Sequence, residues 1–178
     1  MKDARRICSC LICTSSSSGD PVVDGHVPAI RSKGWVVIDN GGDGLPSWSC
    51  TVGLWHLRGL PELLVCGLDR VWRARLLDYA VLAMQHKLGW SGAVDQELAY
   101  TKFAAVDPGW GATHLLDHSA TFYRGEVPPH WQLIWTDADG NFPGDKGFDE
   151  KLLEAQPDLA VPWPDHRPGA WPRLRRRP

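Results

Sequence analysis

At 178 residues, 43% hydrophobic and 22% charged with a net charge of −2, the chain fits one folded domain with ragged ends; its composition excludes a fibrous or wholly disordered polymer. No apolar run approaches the length that spans a bilayer, and the cysteine-rich start lacks the apolar core of a secretory signal, so the expected location is the cytoplasm. Five cysteines, an odd number, argue against a disulfide framework, and ten tryptophans call for polar partners or a pocket rim to receive their N–H groups.

Residues 1–25 read as a flexible appendage, with a cysteine cluster followed by the serine run 15–18. Residues 26–34 predict a short helix closed by Gly34, and 35–39, "WVVID", a strand buried on both faces. The glycines and proline of 40–46 predict a loop, followed by strands at 48–54 and 62–68. Asp69 then caps the strongest helix, 70–88, whose stripe of Trp72, Leu76, Ala80 and Ala83 faces a sheet while Arg73 and Arg75 face water. Residues 91–100 read as loop with a short element, 101–107 as a strand, 111–125 as a helix ending at Gly125, and 131–137 as a strand. "DADGN" is a tight turn in which Gly140 takes positive φ. Periodicity then fades, placing the domain boundary near 157. In 158–178, Arg167, Arg173, Arg175, Arg176 and Arg177 dominate, leaving the body acidic and a poor generic partner for nucleic acid.

Several constellations carry chemistry. Cys8, Cys10 and Cys13 are closely spaced thiols that can wrap one soft metal ion, and His26 is the nearest fourth ligand for a structural zinc. The alternative is a loose segment of reduced thiols. His114 and His118 stand four apart, but without a third ligand they read as a polar helix face. No calcium-loop register fits around Asp137. The break between two strands at 51–68 holds His56, Arg58 and Glu62. One reading is a wet connection; the other is a cleft in which His56, Glu62 and Asp137 form a histidine/carboxylate site walled by Trp55 and Trp135, with Arg58 at its rim.

The ordered motifs "GW-V-V-I" at 34–38, "T-V-G-L" at 51–54, "P-E-L-L-V" at 61–65, "F-Y" at 122–123 and "W-Q-L-I-W-T-D-A-D-G-N-F-P" at 131–143 resemble a bacterial family known as domain of unknown function 4262. The likeness covers most of 8–157. It implies a bacterial, soluble setting and no stated activity. Two departures accompany it: Gly144 and Asp145 follow Phe142-Pro143 where the family tends to place a tryptophan and an acid, and His114 and His118 stand where aromatic or apolar residues are expected.

Taken together, these features predict an α+β fold, a mainly antiparallel sheet of about five strands with two or three helices packed on it. The expected function is a non-catalytic binding or regulatory domain with a protein partner. The alternatives are a small hydrolase-like enzyme using His56, Glu62 and Asp137, and nucleic-acid contact through the basic end.

Overall fold

A computed structural model describes residues 8–42, 45–86, 98 and 100–162. The basic end from 163 onward and most of the stretch 91–100 lie outside the described residues. The elements, in chain order, are α1 (Leu11–Thr14), α2 (Pro21–Lys33), β1 (Val36–Gly42), β2 (Leu45–Val52), α3 (Leu54–Arg58), β3 (Glu62–Cys66), α4 (Arg70–His86), β4 (Thr101–Ala105), α5 (Asp117–Phe122) and β5 (His130–Trp135), with 3-10 turns at Pro108–Ala112, His114–Leu116 and Glu150–Glu154. The five strands form one sheet in the order β1-β2-β3-β5-β4. All neighbours are antiparallel except β3 and β5, which run parallel with Glu62 opposite His130. The α+β expectation with a mainly antiparallel sheet therefore holds.

The parallel pair matters for the site. Because β3 and β5 start at the same end, the loops entering both strands gather there, together with the chain leaving β4 and the turn that leaves β2. β3 is short and buried at every position, so it is a central strand and its ends are rigidly placed.

Two apolar clusters cover the two faces. One joins α1, α2 and α5 to the sheet through Leu11, Ile30, Cys50, Leu64 and Phe122. The other joins α4 through Leu63, Val65, Leu76, Leu77 and Ala80. Leu76 and Ala80 face the sheet as the helical stripe predicts.

Several sequence expectations change. The helix expected over 26–34 is α2 and starts at Pro21, because Asp20 accepts from the N–H groups of Val22 and Val23, a cap that the reading from residue 26 overlooks. From Cys8 onward, the appendage is docked, with Cys10 and Leu11 buried. The presumed loop 40–46 is strand up to Gly42, and β2 begins at Leu45. The helix expected over 111–125 is split: its first part is 3-10, because the Thr113 side chain accepts from Leu115 N–H and donates to the Trp110 carbonyl, and α-helix runs only over Asp117–Phe122. On α4 the stripe is partly inverted: Trp72 is 46% exposed and Arg73 is 3% exposed. Arg73 is buried because its guanidinium pairs with Asp39 at 2.6 Å and donates to Ser47, Ser49 and the carbonyls of Gly67 and Leu68.

Candidate metal centre and cleft

At the end of the sheet where β3 and β5 begin, the docked N-terminal segment meets α3. Cys10 is the N-cap of the single turn of α1 and Cys13 lies within it, three positions on and therefore on the same side. Cys8 precedes that turn. The Nδ1 atom of His56 lies 3.8 Å from the sulfur of Cys8, 3.2 Å from that of Cys10 and 3.4 Å from that of Cys13. All four donor atoms fall within 4.8 Å of one another, so this cluster can hold a metal ion. Burial pushes the Cys10 thiol up to about 12, and burial also raises Cys13. Burial lowers the His56 ring below its ordinary value. Burial thus favours the uncharged forms of Cys10, Cys13 and His56, and a bound cation must displace thiol protons.

His56 is placed by Glu62. The Glu62 carboxylate is fully buried and accepts from Thr51 Oγ1 at 2.7 Å, Gly53 N–H at 2.8 Å, Trp55 N–H at 3.1 Å and the Tyr123 hydroxyl at 2.5 Å. Two of these donors are backbone amides at the start of α3, the helix that carries His56, where the first turn offers no intrahelical acceptor. Tyr123 also accepts from the His56 N–H at 3.3 Å, so strand β3, helix α5 and helix α3 are tied at one point. Burial raises the Glu62 carboxyl, and its four donors oppose that rise. Gly53 makes the entry into α3 possible. Its φ is +119°, and a Cβ there would sit 2.6 Å from the Gly34 carbonyl oxygen.

A cleft of about 1200 Å³ opens beside the centre, with Cys8, Trp55, His56, Asp107, Glu126, His130 and Trp131 among its lining residues. Ser9, next to Cys8, donates to Glu126 on the cleft wall at 2.9 Å. The ring of His130 is buried, and its Nδ1 lies 2.7 Å from the Pro128 carbonyl oxygen. A carbonyl only accepts, so Nδ1 carries the hydrogen, and burial lowers this histidine to about 4. Nε2 is therefore a bare acceptor, and it has no hydrogen-bond partner among the described residues.

The structure separates the proposed histidine/carboxylate site into its parts. His56 and Glu62 lie at this end, but the imidazole faces sulfur while the carboxylate is taken by other donors. Asp137 follows the far end of β5, seven residues beyond the partner of Glu62, which at about 3.3 Å per residue is roughly 20 Å away. There it accepts from the N–H groups of Asp139, Asn141 and Asp149, a self-contained turn with Gly140 at φ +83°. Trp135 is also at the far end, donating from Nε1 to the Cys66 carbonyl at 2.8 Å. Trp55 does line the cleft, whereas Arg58 is exposed and is not among the lining residues. His26 lies apart from the sulfurs, beside His118, Val23 and Phe122. His114 does not pair with His118; it forms an exposed contact with Asp117 at 2.5 Å.

Sequence reasoning overlooks Tyr123, Thr51 and His130. A signal for the first two is present, since "T-V-G-L", "P-E-L-L-V" and "F-Y" each contribute to the Glu62 node. A family model described as domain of unknown function 4262 matches residues 29–149, and the chain belongs to that family. The match includes His56 and the Glu62 node but begins after the three cysteines. No curated protein and no solved structure matches the chain.

Proposed function

We propose that this family member is a non-catalytic binding domain fastened by a metal: Cys8, Cys10, Cys13 and His56 hold one zinc ion, which locks the N-terminal segment against the sheet and sets one wall of the cleft. The observation that carries this reading is the spacing around His56. With Zn–S of about 2.3 Å and Zn–N of about 2.0–2.1 Å, tetrahedral angles place sulfur and nitrogen about 3.5 Å apart. The contacts of 3.2, 3.4 and 3.8 Å bracket that edge. Thiolate and imidazole donors favour zinc over magnesium or calcium, which prefer oxygen. Four protein ligands close the coordination shell, the pattern of a structural rather than a catalytic site.

The hydrolase-like alternative finds less support. Glu62 orients the backbone of α3 instead of the His56 ring, and Asp137 stands at the opposite end of the sheet. Three thiolates require a reducing compartment to persist, which suits the cytoplasm. No described helix is long and apolar enough to cross a membrane.

The test is metal content after purification without chelator. About one equivalent of zinc is expected, lost in Cys10→Ser and in His56→Ala but kept in His26→Ala. Metal-free protein that also takes up no added zinc overturns the proposal.

A further inference from the structure

We infer that the cleft beside the cysteine cluster takes a basic segment of a partner protein, an extended stretch in which an arginine or lysine stands among apolar residues. This rests on the binding-domain reading above and names the chemistry of its partner. Three independent features point to that occupant.

The first is charge. Among the described residues that line the cleft, the charged carboxylates are Asp107 and Glu126, and none is lysine or arginine. A zinc ion held by three thiolates would add one further negative charge to the same wall. Such a surface repels phosphate, which disfavours nucleic acid and draws a cation.

The second is the buried acceptor. His130 is 3% exposed, borders the cleft, and leaves Nε2 without a partner among the described residues. Its other nitrogen is fixed as the donor by the Pro128 carbonyl. A buried acceptor of this kind is costly unless something donates to it, and an ammonium or guanidinium carries several N–H groups.

The third is size and surface. A volume of about 1200 Å³ exceeds the usual range of small-molecule pockets, roughly 300–1000 Å³, and suits a length of polypeptide. Trp131 lines the cleft and is 39% exposed, so indole surface is available both to apolar side chains and to a cation over the ring face.

The experiment is calorimetric titration of the full chain with two pools of capped hexapeptides. Both pools are random in leucine, proline and valine, one with arginine fixed at the third position and the other with glutamate there. The arginine pool should bind at least about tenfold more tightly, with an advantage that shrinks as salt is raised. Asp107→Asn with Glu126→Gln should remove most of that advantage. These amides keep the oxygens that accept from Gly109 N–H and Ser9 Oγ, so the fold is preserved. Equal affinity for the two pools overturns the inference, as does an unaltered preference in the double variant. Tighter binding of the arginine pool after Arg173, Arg175, Arg176 and Arg177 are changed to glutamine would assign the cleft to the chain's own C-terminal stretch, overturning the partner assignment. Metal content is measured on the same samples. Zinc-loaded protein that ignores the arginine pool removes this inference alone; metal-free protein that still prefers the arginine pool removes only the metal-centre reading.

Discussion

The two ends of the sheet are each held by one buried ionisable side chain, an acid at one end and a base at the other. At the cleft end, the Glu62 carboxylate gathers donors from Thr51, Gly53, Trp55 and Tyr123. At the far end, the Arg73 guanidinium gathers acceptors from Asp39, Ser47, Ser49, Gly67 and Leu68. Each group joins segments that are distant in sequence. The difference lies in what else they hold. Glu62 fixes the helix that presents His56 to the cysteines, whereas Arg73 fixes only the framework. A buried ionisable group thus acts as a multi-point fastener in both places, but only at the cleft end does it position a candidate metal ligand.

The largest expected effect breaks the cleft end. Glu62→Ala leaves buried donors on Thr51, Tyr123 and the start of α3 unmet, and should cost roughly 3–5 kcal/mol in denaturant unfolding. It should also weaken zinc binding, because His56 loses its placement. Glu62→Gln separates the two consequences. The amide keeps one acceptor but turns an NH₂ toward donors, so stability should fall less while metal affinity still drops. Unchanged zinc affinity in both variants would break the link between Glu62 and the centre.

At the far end, Arg73→Met should cost about 2–3 kcal/mol. That is less than a fully buried pair would lose, because Asp39 is partly open to water. Zinc content should not change. Burial raises the Asp39 carboxyl, but its bonds to Ser49 and Arg73 and the nearby charges of Arg73 and Arg70 outweigh burial, so the net direction is downward. A depressed carboxyl contributes stability above its unfolded value of about 3.9, and that contribution is lost as pH falls through the lower folded value. Wild-type protein should therefore lose more stability than Arg73→Met below about pH 4. Parallel acid profiles for the two proteins would show that the pair carries no such linkage.

Much of this architecture is legible in the sequence, and the failures have physical causes. The β-branched run at 36–38 marks β1, which lies at the sheet edge rather than buried on both faces, the apolar run at 63–66 marks the central strand β3, and the Asp69 cap marks the start of α4. Periodicity fails on that helix because it assigns every arginine to water, whereas Arg73 meets five acceptors inside. The cysteine cluster is legible as a ligand set, but its fourth member is not. His26 is near in sequence, and only the fold brings His56 across 43 residues or more to the sulfurs. The same blindness to distance joined Asp137 and Trp135 to Glu62: all lie near strand ends, but sequence alone does not say which end. That depends on β3 and β5 running parallel.

The smallest effect sharpens the comparison most. Asp137 and Glu62 are both acidic residues at strand termini, and the sequence gives no reason to rank them. In the structure, Asp137 serves its own turn, accepting from Asp139, Asn141 and Asp149, while Glu62 serves residues as distant as Tyr123. Burial raises the Asp137 carboxyl, but the turn's N–H groups outweigh it and hold the group below its ordinary value. Its stabilising contribution should therefore persist at neutral pH and fade in acid. Asp137→Asn retains a side-chain oxygen for the turn and should move the melting temperature only slightly. Zinc content and affinity for the arginine pool should match the wild type, because the bonds of Asp137 among the described residues, to Asp139, Asn141 and Asp149, stay at the far end. If the variant instead loses peptide or metal binding, the two ends are coupled through the sheet, and the assignment of function to one end alone fails.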